Sequence, residues 1–333
     1  MSKGVRECGN TRILGRVTPT PAPDDELLAV RVAELYYDED RTQDEIGSLL
    51  GISRWKVGRL LAQARSDGIV RIEIIHPRAR RLGVERTLRE RFGLADAVVV
   101  PAVADEADLL DRVAQAAADH LAALRPVPRT LGVSWGRTLT AVSEHLPQGW
   151  AHGVTVVQMN GGVSVNRRPG GAATLASTIA QRASGRVALL PSPAILERLE
   201  TKQAIEADRT VAGVLDLAAA ADTYLFTAGA CDHRSAHVEN GYLEPGDIDE
   251  LARRGAVGDV LGRYIDADGN TVDPELDART VGLPLERLRA AETAVFVTAG
   301  TAKHDIARTV VAAGLCTAVV TDEETALTLL EDK

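Results

Sequence analysis

Four basic side chains lie close together in one short stretch of this sequence: Arg54, Lys56, Arg59 and Arg65. On a helix, long cationic side chains can bind the phosphates of a nucleic-acid duplex, and those near its N-terminal end can reach base edges. A helical hairpin with no nucleic-acid role could carry the same charges on a solvated face. The surrounding residues favour the first interpretation.

Those surrounding residues predict a helix-turn-helix. Thr42, followed three residues later by Glu45, is a capping-box pattern that places the start of a first helix at Thr42. Gly51 can adopt the positive φ of a tight turn, and Ser53 can cap a second helix that ends at Gly68. The side chains expected in the core are Ile46, Leu49 and Leu50 on the first helix, and Val57, Leu60, Leu61 and Ala64 on the second.

Base contacts in a helix-turn-helix usually come from the N-terminal end of the second helix. Ser53, Arg54 and Trp55 occupy that end. Arg54, Lys56 and Arg59 could instead contact phosphates alone, and Trp55 could pack against the first helix rather than contact a base. The candidate contacts to double-stranded DNA are Thr42, Gln43, Ser53, Arg54, Trp55, Lys56 and Arg59.

A second set of polar residues follows predicted strands further along the chain. Residues 134–138 (Ser-Trp-Gly-Arg-Thr) join a strand to the start of a helix. Backbone N–H groups, a hydroxyl and the helix dipole can bind an anion there, although an ordinary strand-to-helix turn can have the same composition. Lys303 follows Gly300 at a later turn of this kind, where it could pair with a phosphate or begin a solvated helix.

Two other patterns suggest chemistry less strongly. Residues 266–270 begin like a calcium loop, but Thr271 and Asp277 stand where Gly and a bidentate Glu are required, so a hairpin turn is preferred. Cys231 precedes Asp232 and His233, yet no base is paired with the thiol by spacing, and a loop is preferred. We predict no catalytic residue, no metal site and no cofactor.

The elements around the basic residues form a small N-terminal domain. Residues 1–23 are polar and proline-containing, which predicts a disordered lead-in. A helix then begins at Asp24 or Asp25, with an apolar stripe that includes Leu27. The run from Ile69 to Ile75 alternates like a short strand before Pro77. We therefore predict a winged helix-turn-helix DNA-binding domain over residues 24–76.

The remaining residues, 77–333, alternate between helix and strand. This predicts an α/β domain with a doubly wound, mostly parallel sheet whose ligands bind beyond the carboxyl ends of the strands. Predicted strands span 97–100, 130–133, 154–158, 187–190, 223–227, 294–298 and 317–321. Predicted helices span 78–92, 105–123, 137–146, 171–183, 201–219 and 303–313.

Composition and charge are consistent with this division. The net charge is −9, but residues 41–91 carry +6, which leaves −15 on the rest and confines nucleic-acid binding to one end. Three cysteines, Cys8, Cys231 and Cys316, are too far apart for a zinc motif and suggest a reducing compartment. The sequence contains no apolar run long enough to span a membrane and no signal peptide, so we expect a cytoplasmic protein with no membrane partner.

Segments over about residues 24–331 together resemble one known family. They are ISRWKVGRLLAQARSDGIVRIEI, ERFGLADAVVV, LGVSWGRTL, QMNGG, GYLEPGDIDELARRGAVGDVLGRYIDADGN and TAGTAKHDIARTVVAAGLCTAVVTDEETALTLL. In this order they resemble the SorC family of sugar-responsive transcriptional regulators, sometimes grouped with DeoR-like regulators. The resemblance implies an effector domain like the phosphosugar isomerase and deaminase (NagB/RpiA-like) fold, and assembly as homotetramers.

The same resemblance implies where an effector binds. The loop at residues 134–138 and Lys303 would hold a phosphate, and the hydroxyls of the sugar would contact Gln158, Asn160, Gly161, Asp259 and Asp266. Two departures stand out: residues 226–230 replace a more usual Gly-x-Gly turn, and Gly47 is expected to cost roughly 0.5–1 kcal/mol of helix stability. The candidate effector contacts are Ser134, Trp135, Gly136, Arg137, Thr138, Gln158, Asn160, Gly161, Gly229, Asp259, Asp266 and Lys303.

Together these observations predict a homo-oligomeric transcriptional regulator whose operator affinity is controlled by a phosphorylated sugar or polyol. One alternative is a phosphosugar isomerase or deaminase that carries a DNA-binding module. Another is a C-terminal domain that only oligomerises.

Overall fold

The chain divides between Ile75 and His76 into two units, which we call the N-terminal unit and the body. The computed structural model describes residues 23–70, 80–162 and 171–331. The predicted lead-in up to residue 22 and the predicted wing beyond Val70 lie outside the described residues. The existence of the wing therefore stays a prediction.

The described part of the N-terminal unit is helical: α1 (Pro23–Tyr37), α2 (Gln43–Leu50) and α3 (Arg54–Ser66). The capping box is confirmed, since Glu45 N–H donates to Thr42 Oγ1 at 3.3 Å and Thr42 N–H donates to the Glu45 carboxylate at 2.9 Å. Gly51 ends α2 with φ of 65°, and Ser53 Oγ accepts from Lys56 N–H at 3.2 Å. These contacts fix both ends of the turn.

The residues buried in the core of this unit agree with the sequence prediction on α3. They differ from it at one leucine on α1 and one on α2. The predicted core residues of α3 are all buried: Val57, Leu60, Leu61 and Ala64. Leu27 and Leu49 were expected in the core, but 71% and 63% of their surface is exposed. On α2 the buried residues are Ile46 and Gly47, so the interior position that the pattern gave to Leu49 is taken by glycine.

Gly47 is required by a close backbone approach. A Cβ atom at this position would lie 2.8 Å from the carbonyl oxygen of Ile52, in the turn that joins α2 to α3. The helix-propensity cost expected at Gly47 stays a prediction; its missing side chain also lets the turn pack against α2.

The body contains the helices α4 (Leu82–Phe92), α5 (Glu106–Ala123), α6 (Arg137–His145), α7 (Ala172–Arg182), α8 (Leu199–Glu206), α9 (Arg209–Ala219), α10 (Ala236–Glu239), α11 (Pro245–Arg253), α12 (Pro274–Arg279), α13 (Leu285–Arg289), α14 (His304–Ala312) and α15 (Glu323–Leu330). Its strands are β1 (Asp96–Val100), β2 (Thr130–Val133), β3 (Thr155–Gln158), β4 (Arg186–Ala188), β5 (Thr223–Phe226), β6 (Ala228–Ala230), β7 (Gly258–Val260), β8 (Arg263–Ile265), β9 (Ala294–Val297) and β10 (Ala318–Asp322). A 3-10 turn, Thr301–Lys303, precedes α14.

Seven of these strands form one parallel sheet in the order β1-β10-β9-β5-β2-β3-β4. Alternate residues of a strand face opposite sides, so each strand contributes to two cores. Val99 and Phe296 pack with α4, α14 and α15 on one face, whereas Val98 and Val297 pack with α5, α6 and α7 on the other. The predicted doubly wound α/β fold is confirmed.

The sequence pattern missed several features of the body, among them the short helices α10, α11, α12 and α13. The predicted helix over 201–219 is two helices, because Asp208 starts a new one by accepting a hydrogen bond from Thr210 N–H at 2.8 Å. The antiparallel sheet β6-β7-β8 and the last helix, α15, were not predicted. No helix within the described ranges has the length and apolar character that crossing a bilayer would need.

Candidate DNA-binding face and effector cavity

The N-terminal end of α3 presents polar and aromatic side chains to solvent. The Trp55 side chain is 89% exposed, which excludes packing against the first helix. Arg54 is also exposed, and its Nη1 lies 3.4 Å from a carboxylate oxygen of Asp44 on α2. Of the other predicted DNA contacts, Thr42, Ser53 and Arg59 are exposed, whereas Gln43 and Lys56 are half-buried.

A cavity of about 340 Å³ opens in the body, beyond the carboxyl ends of β2, β5 and β9. This is the edge at which an open parallel sheet binds its ligands. Nine of the predicted effector contacts line it: Ser134, Trp135, Gly136, Arg137, Thr138, Asn160, Gly229, Asp259 and Lys303.

One end of the cavity is built by the turn between β2 and α6. Gly136 has φ of 137°, a conformation that side chains disfavour, and it precedes the first residue of α6. The hydroxyl of Ser134 accepts a hydrogen bond from Thr227 N–H at 3.3 Å, which ties this turn to the end of β5. The first N–H groups of α6 and the exposed guanidinium of Arg137 make this end attractive to an anion.

The amine of Lys303 completes the same end. Its Nζ donates to Thr138 Oγ1 at 3.2 Å and to Thr227 Oγ1 at 3.4 Å. Burial and, to a lesser degree, the nearby Arg137 lower the pKa of Lys303 to about 8, against the opposing effect of Asp259. A lysine held by two hydroxyls near an arginine is stabilised in its charged form by an incoming anion.

An acidic wall faces the cavity from the small antiparallel sheet. Asp259 on β7 is buried, and its Oδ2 accepts from Gly262 N–H at 2.9 Å. Its partner in the register is Gly229 on β6, where a Cβ atom would lie 2.2 Å from Asp259 Oδ1. Glycine is therefore needed at 229 for the carboxylate to stand at the cavity wall. His237 lies behind it, with Nδ1 3.7 Å from Asp259 Oδ1.

Asn160 and Trp135 form a further part of the wall. The amide oxygen of Asn160 is buried with no hydrogen-bond partner in the described part of the chain. Trp135 is half-buried, its Nε1 donates to the Gly161 carbonyl at 2.7 Å, and its ring contacts the His237 ring edge-on at 5.7 Å. An unpaired acceptor and an aromatic face are groups that a hydroxylated ligand can use.

Three predicted effector contacts are not part of the lining. Gln158 is buried and donates to the Asn160 carbonyl at 2.7 Å, so it supports the wall from behind. Gly161 is packed against the backbone of Pro193, with 2.0 Å between a Cβ position and that carbonyl oxygen. Asp266 accepts from the N–H groups of Asp268 and Asn270 in the predicted hairpin turn.

Two other lining residues, Thr227 and His237, were not predicted from the sequence. Thr227 follows β5 directly and binds both Ser134 and Lys303, and its position after a strand was the available clue. His237 lies on α10, a helix of four residues that the apolar pattern does not detect. Only the fold brings it to the cavity.

The structure gives no support to the nucleophile and metal interpretations. Burial, together with the nearby carboxylate of Asp259, raises the pKa of the Cys231 thiol to about 11. His233 pairs with Asp249 at 2.8 Å rather than with the thiol. A search of the described residues found no group of His, Cys, Asp and Glu side chains that could hold a metal ion.

Comparisons with known proteins agree with this architecture. The family model described as "Putative sugar-binding domain" matches residues 77–331. The deoxyribonucleoside regulator of Bacillus subtilis is 28% identical, over 92% of this chain and 98% of its own. The transcriptional regulator LsrR of Klebsiella pneumoniae is 30% identical, over 92% of this chain and 93% of its own.

Among solved structures, the full-length sorbitol operon regulator SorC of Klebsiella pneumoniae matches with a TM-score of 0.70 and 30% identity. The match covers 93% of this chain and 100% of that one. This chain belongs to the SorC family of transcriptional regulators. Because this match covers 93% of the chain, it includes residues of the N-terminal unit as well as the body.

Proposed function

We propose that this SorC-family chain binds operator DNA through residues 24–76 and senses a phosphorylated sugar or polyol through residues 77–333. The observation that carries the effector assignment is the convergence of Lys303 Nζ on Thr138 and Thr227 at the start of α6. A phosphate there would give the Lys303 amine an ionised acceptor in place of neutral hydroxyls, so that both partners of the hydrogen bond carry charge. Asp259 and Asn160 would then accept hydrogen bonds from the hydroxyls of the ligand.

DNA release requires that the effector bind two states of the protein with different affinities. A coupling of about 1–3 kcal/mol changes operator affinity about 5- to 150-fold. We further propose that the chain acts as a homo-oligomer, probed by sedimentation, because one short recognition helix supplies little area for operator affinity. Relatives named as regulators support a non-enzymatic role.

Thermal unfolding of the full chain tests the effector assignment. The panel pairs sorbitol 6-phosphate, 2-deoxyribose 5-phosphate and glucose 6-phosphate with their unphosphorylated parents. We expect a phosphorylated member to raise the unfolding temperature and its parent to do so less, since a ligand at 100 times its dissociation constant adds about 2.7 kcal/mol. Equal effects of both would contradict a phosphate at Lys303.

A turnover assay separates the regulator from the enzyme alternative. The purified chain is incubated with each sugar phosphate, and isomerised or deaminated product is measured. We expect none, because the relatives that match this chain over nearly all of its length are named as regulators. Steady product formation would favour the phosphosugar enzyme.

A further inference from the structure

The turn that carries Lys303 is held from behind by a buried carboxylate. Gly300 N–H donates to Asp322 Oδ2 at 3.0 Å, three residues before the lysine. Asp322 is 1% exposed and also accepts from Thr325 N–H at 2.9 Å and Thr325 Oγ1 at 2.7 Å. It therefore fixes the Lys303 turn and the first turn of α15 to each other.

The residue after Asp322 makes contacts in a different direction. Glu323 Oε1 lies 2.8 Å from Nε of Arg81, and the two side chains are 25% and 26% exposed. Glu323 Oε2 accepts from Ala102 N–H at 3.4 Å, in the segment between β1 and α5. Glu106, at the start of α5, lines the cavity. One glutamate thus contacts two segments that connect to different parts of the body.

Arg81 stands where the chain enters the body. It follows the stretch 71–79, which is outside the described residues and links the body to the N-terminal unit in sequence. Arg81 N–H donates to the Val99 carbonyl at 2.9 Å, and the neighbouring Arg80 pairs with the buried Glu85 at 2.7 Å. The entry of the chain is therefore anchored on β1 and α4, and Glu323 joins that anchor to the cavity side.

We propose that the Arg81–Glu323 ion pair is the link by which occupancy of the cavity reaches the connection to the DNA-binding unit. A phosphate that binds Lys303 displaces the turn that carries this residue. Asp322 transmits the displacement to the start of α15. The contacts of Glu323 with Arg81 and Ala102 then change. Because both partners are about three-quarters buried, their attraction is screened less than that of an exposed pair. Arg81 and Glu323 act as positioning residues, and this proposal rests on the proposed effector function.

The test uses the full-length chain with R81Q and E323Q, which remove the ion pair and keep comparable side-chain size. The probes are sorbitol 6-phosphate, 2-deoxyribose 5-phosphate, glucose 6-phosphate and inorganic phosphate. Three quantities are measured for each variant: operator affinity without probe, the thermal shift produced by the probe, and operator affinity at a saturating probe concentration. R81K, which keeps the positive charge, is the conservative variant, and R254Q, which breaks the Arg254–Asp273 pair at 3.0 Å, is the matched control.

We expect R81Q and E323Q to keep the thermal shift and to lose the response of the operator. The probe should change operator affinity about 5- to 150-fold in wild type, and less than about twofold in both variants. R81K and R254Q should respond as wild type. A merely structural role would instead lower the unfolding temperature and weaken probe binding together with the response.

The remaining outcomes contradict either the Arg81–Glu323 link or the proposed phosphorylated effector. If R81Q and E323Q release the operator as wild type does, or lose probe binding along with the response, the link is wrong and the effector function stands. If no probe changes the operator affinity of wild type, the proposed phosphorylated effector is wrong, and the link falls with it.

Discussion

At the scale of single residues, Lys303 determines how the cavity responds to pH. Its pKa is lowered to about 8 by burial and by Arg137, so the free amine loses its charge as the pH rises through 8. A bound phosphate dianion favours the charged amine and raises that pKa. The affinity for a sugar phosphate should therefore fall above pH 8, by up to about tenfold for each pH unit.

At low pH, the change in affinity for a sugar phosphate comes from protonation of the ligand. A phosphate monoester has its second pKa near about 6, so affinity should also fall below that pH. We expect K303R, whose guanidinium stays charged, to keep affinity above pH 8, and K303M to lose most affinity at every pH. Calorimetric titration from pH 5 to 10 measures both, and a K303R profile that falls above pH 8 as in wild type would remove Lys303 as the titrating group.

The unliganded protein should not need the charge on Lys303. A base whose pKa is lower in the folded chain than its ordinary 10.5 binds fewer protons folded than unfolded between pH 8 and 10.5. The free energy of unfolding contributed by this group therefore rises with pH across that window. We expect K303M to unfold at the same or a higher temperature than wild type at pH 7, and a marked decrease would mean that Lys303 is a structural residue.

Substitution of Arg54 tests whether the N-terminal end of α3 makes base-specific contacts with DNA. It is exposed at the first position of α3, within reach of Asp44 but free of burial. R54A should weaken operator binding by about 1–3 kcal/mol and weaken random DNA less, because a bidentate base contact is lost. R65A, in the last turn of α3, is the control and should weaken both duplexes alike. Equal losses for R54A on operator and random DNA, measured by anisotropy, would reduce Arg54 to a phosphate contact.

The sequence pattern alone identified some of the residues that line the cavity. Ser134 and Lys303 were predicted because each follows an apolar run and precedes a helix, which is the position where a parallel sheet binds ligands. Asp266 was placed in the site by family resemblance, whereas the structure shows it closing its own hairpin turn. His237 could not be predicted, because its approach to Asp259 depends on a loop that local periodicity does not specify.

At the scale of elements, two helical glycines should respond oppositely to the same substitution. Alanine raises helix propensity by about 0.5–1 kcal/mol at an unobstructed site. At Gly213, within α9, a Cβ atom would meet nothing within 4 Å, so G213A should stabilise the body. At Gly47 the Cβ would stand 2.8 Å from the Ile52 carbonyl, so G47A should destabilise the N-terminal unit.

Denaturant unfolding of the full chain measures the effects of G213A and G47A on the free energy of unfolding. The two effects can be separated because the N-terminal unit and the body can unfold in separate transitions. We expect G47A to lower the free energy of unfolding of the N-terminal unit by about 1–3 kcal/mol, as overpacking does. A stabilising effect of G47A would show that the turn relaxes easily and that the helix-propensity cost of Gly47 outweighs the close approach of Ile52.

The predictability of elements follows from their length and burial. Strands such as β1 and β9 are continuous apolar runs, since both faces of a parallel sheet are covered, and they were predicted within a residue or so. Strands β6, β7 and β8 have three residues each, with Gly229, Asp259 and Tyr264 at their respective centres. Such segments carry no periodic signal, and their pairing is set by the tertiary fold.

At the scale of the whole molecule, positive charge is concentrated locally in the stretch that contains α2 and α3. Residues 41–66 hold five Arg or Lys residues against two acids, whereas the whole chain has a net charge of −9, so we expect contact with DNA to be concentrated on these two helices. The proposed binding of an anion by an acidic body needs local positive charge at the cavity, where Arg137 and Lys303 are part of the lining. Affinity for DNA and affinity for the effector can therefore be altered independently by substitution.

This separation allows the number of N-terminal units on one operator to be counted from salt dependence. The logarithm of the binding constant falls linearly with the logarithm of salt concentration, with a slope of about −0.9 for each phosphate neutralised. Arg59 is exposed on α3, one turn beyond Arg54, and is a candidate phosphate contact. Removing it should reduce the slope by about 1 for every recognition helix that binds.

We expect R59A to reduce the slope by about 2, because a palindromic operator presents two half-sites one helical turn apart and a single recognition helix binds too weakly. The control is Arg308, a body residue whose Nη1 donates to the Glu331 carbonyl at 2.9 Å; R308A should leave the slope unchanged. Sedimentation of the saturated complex gives the number of chains independently. A slope change of about 1, with one chain per duplex, would show that a single N-terminal unit suffices and that oligomerisation serves the effector response instead.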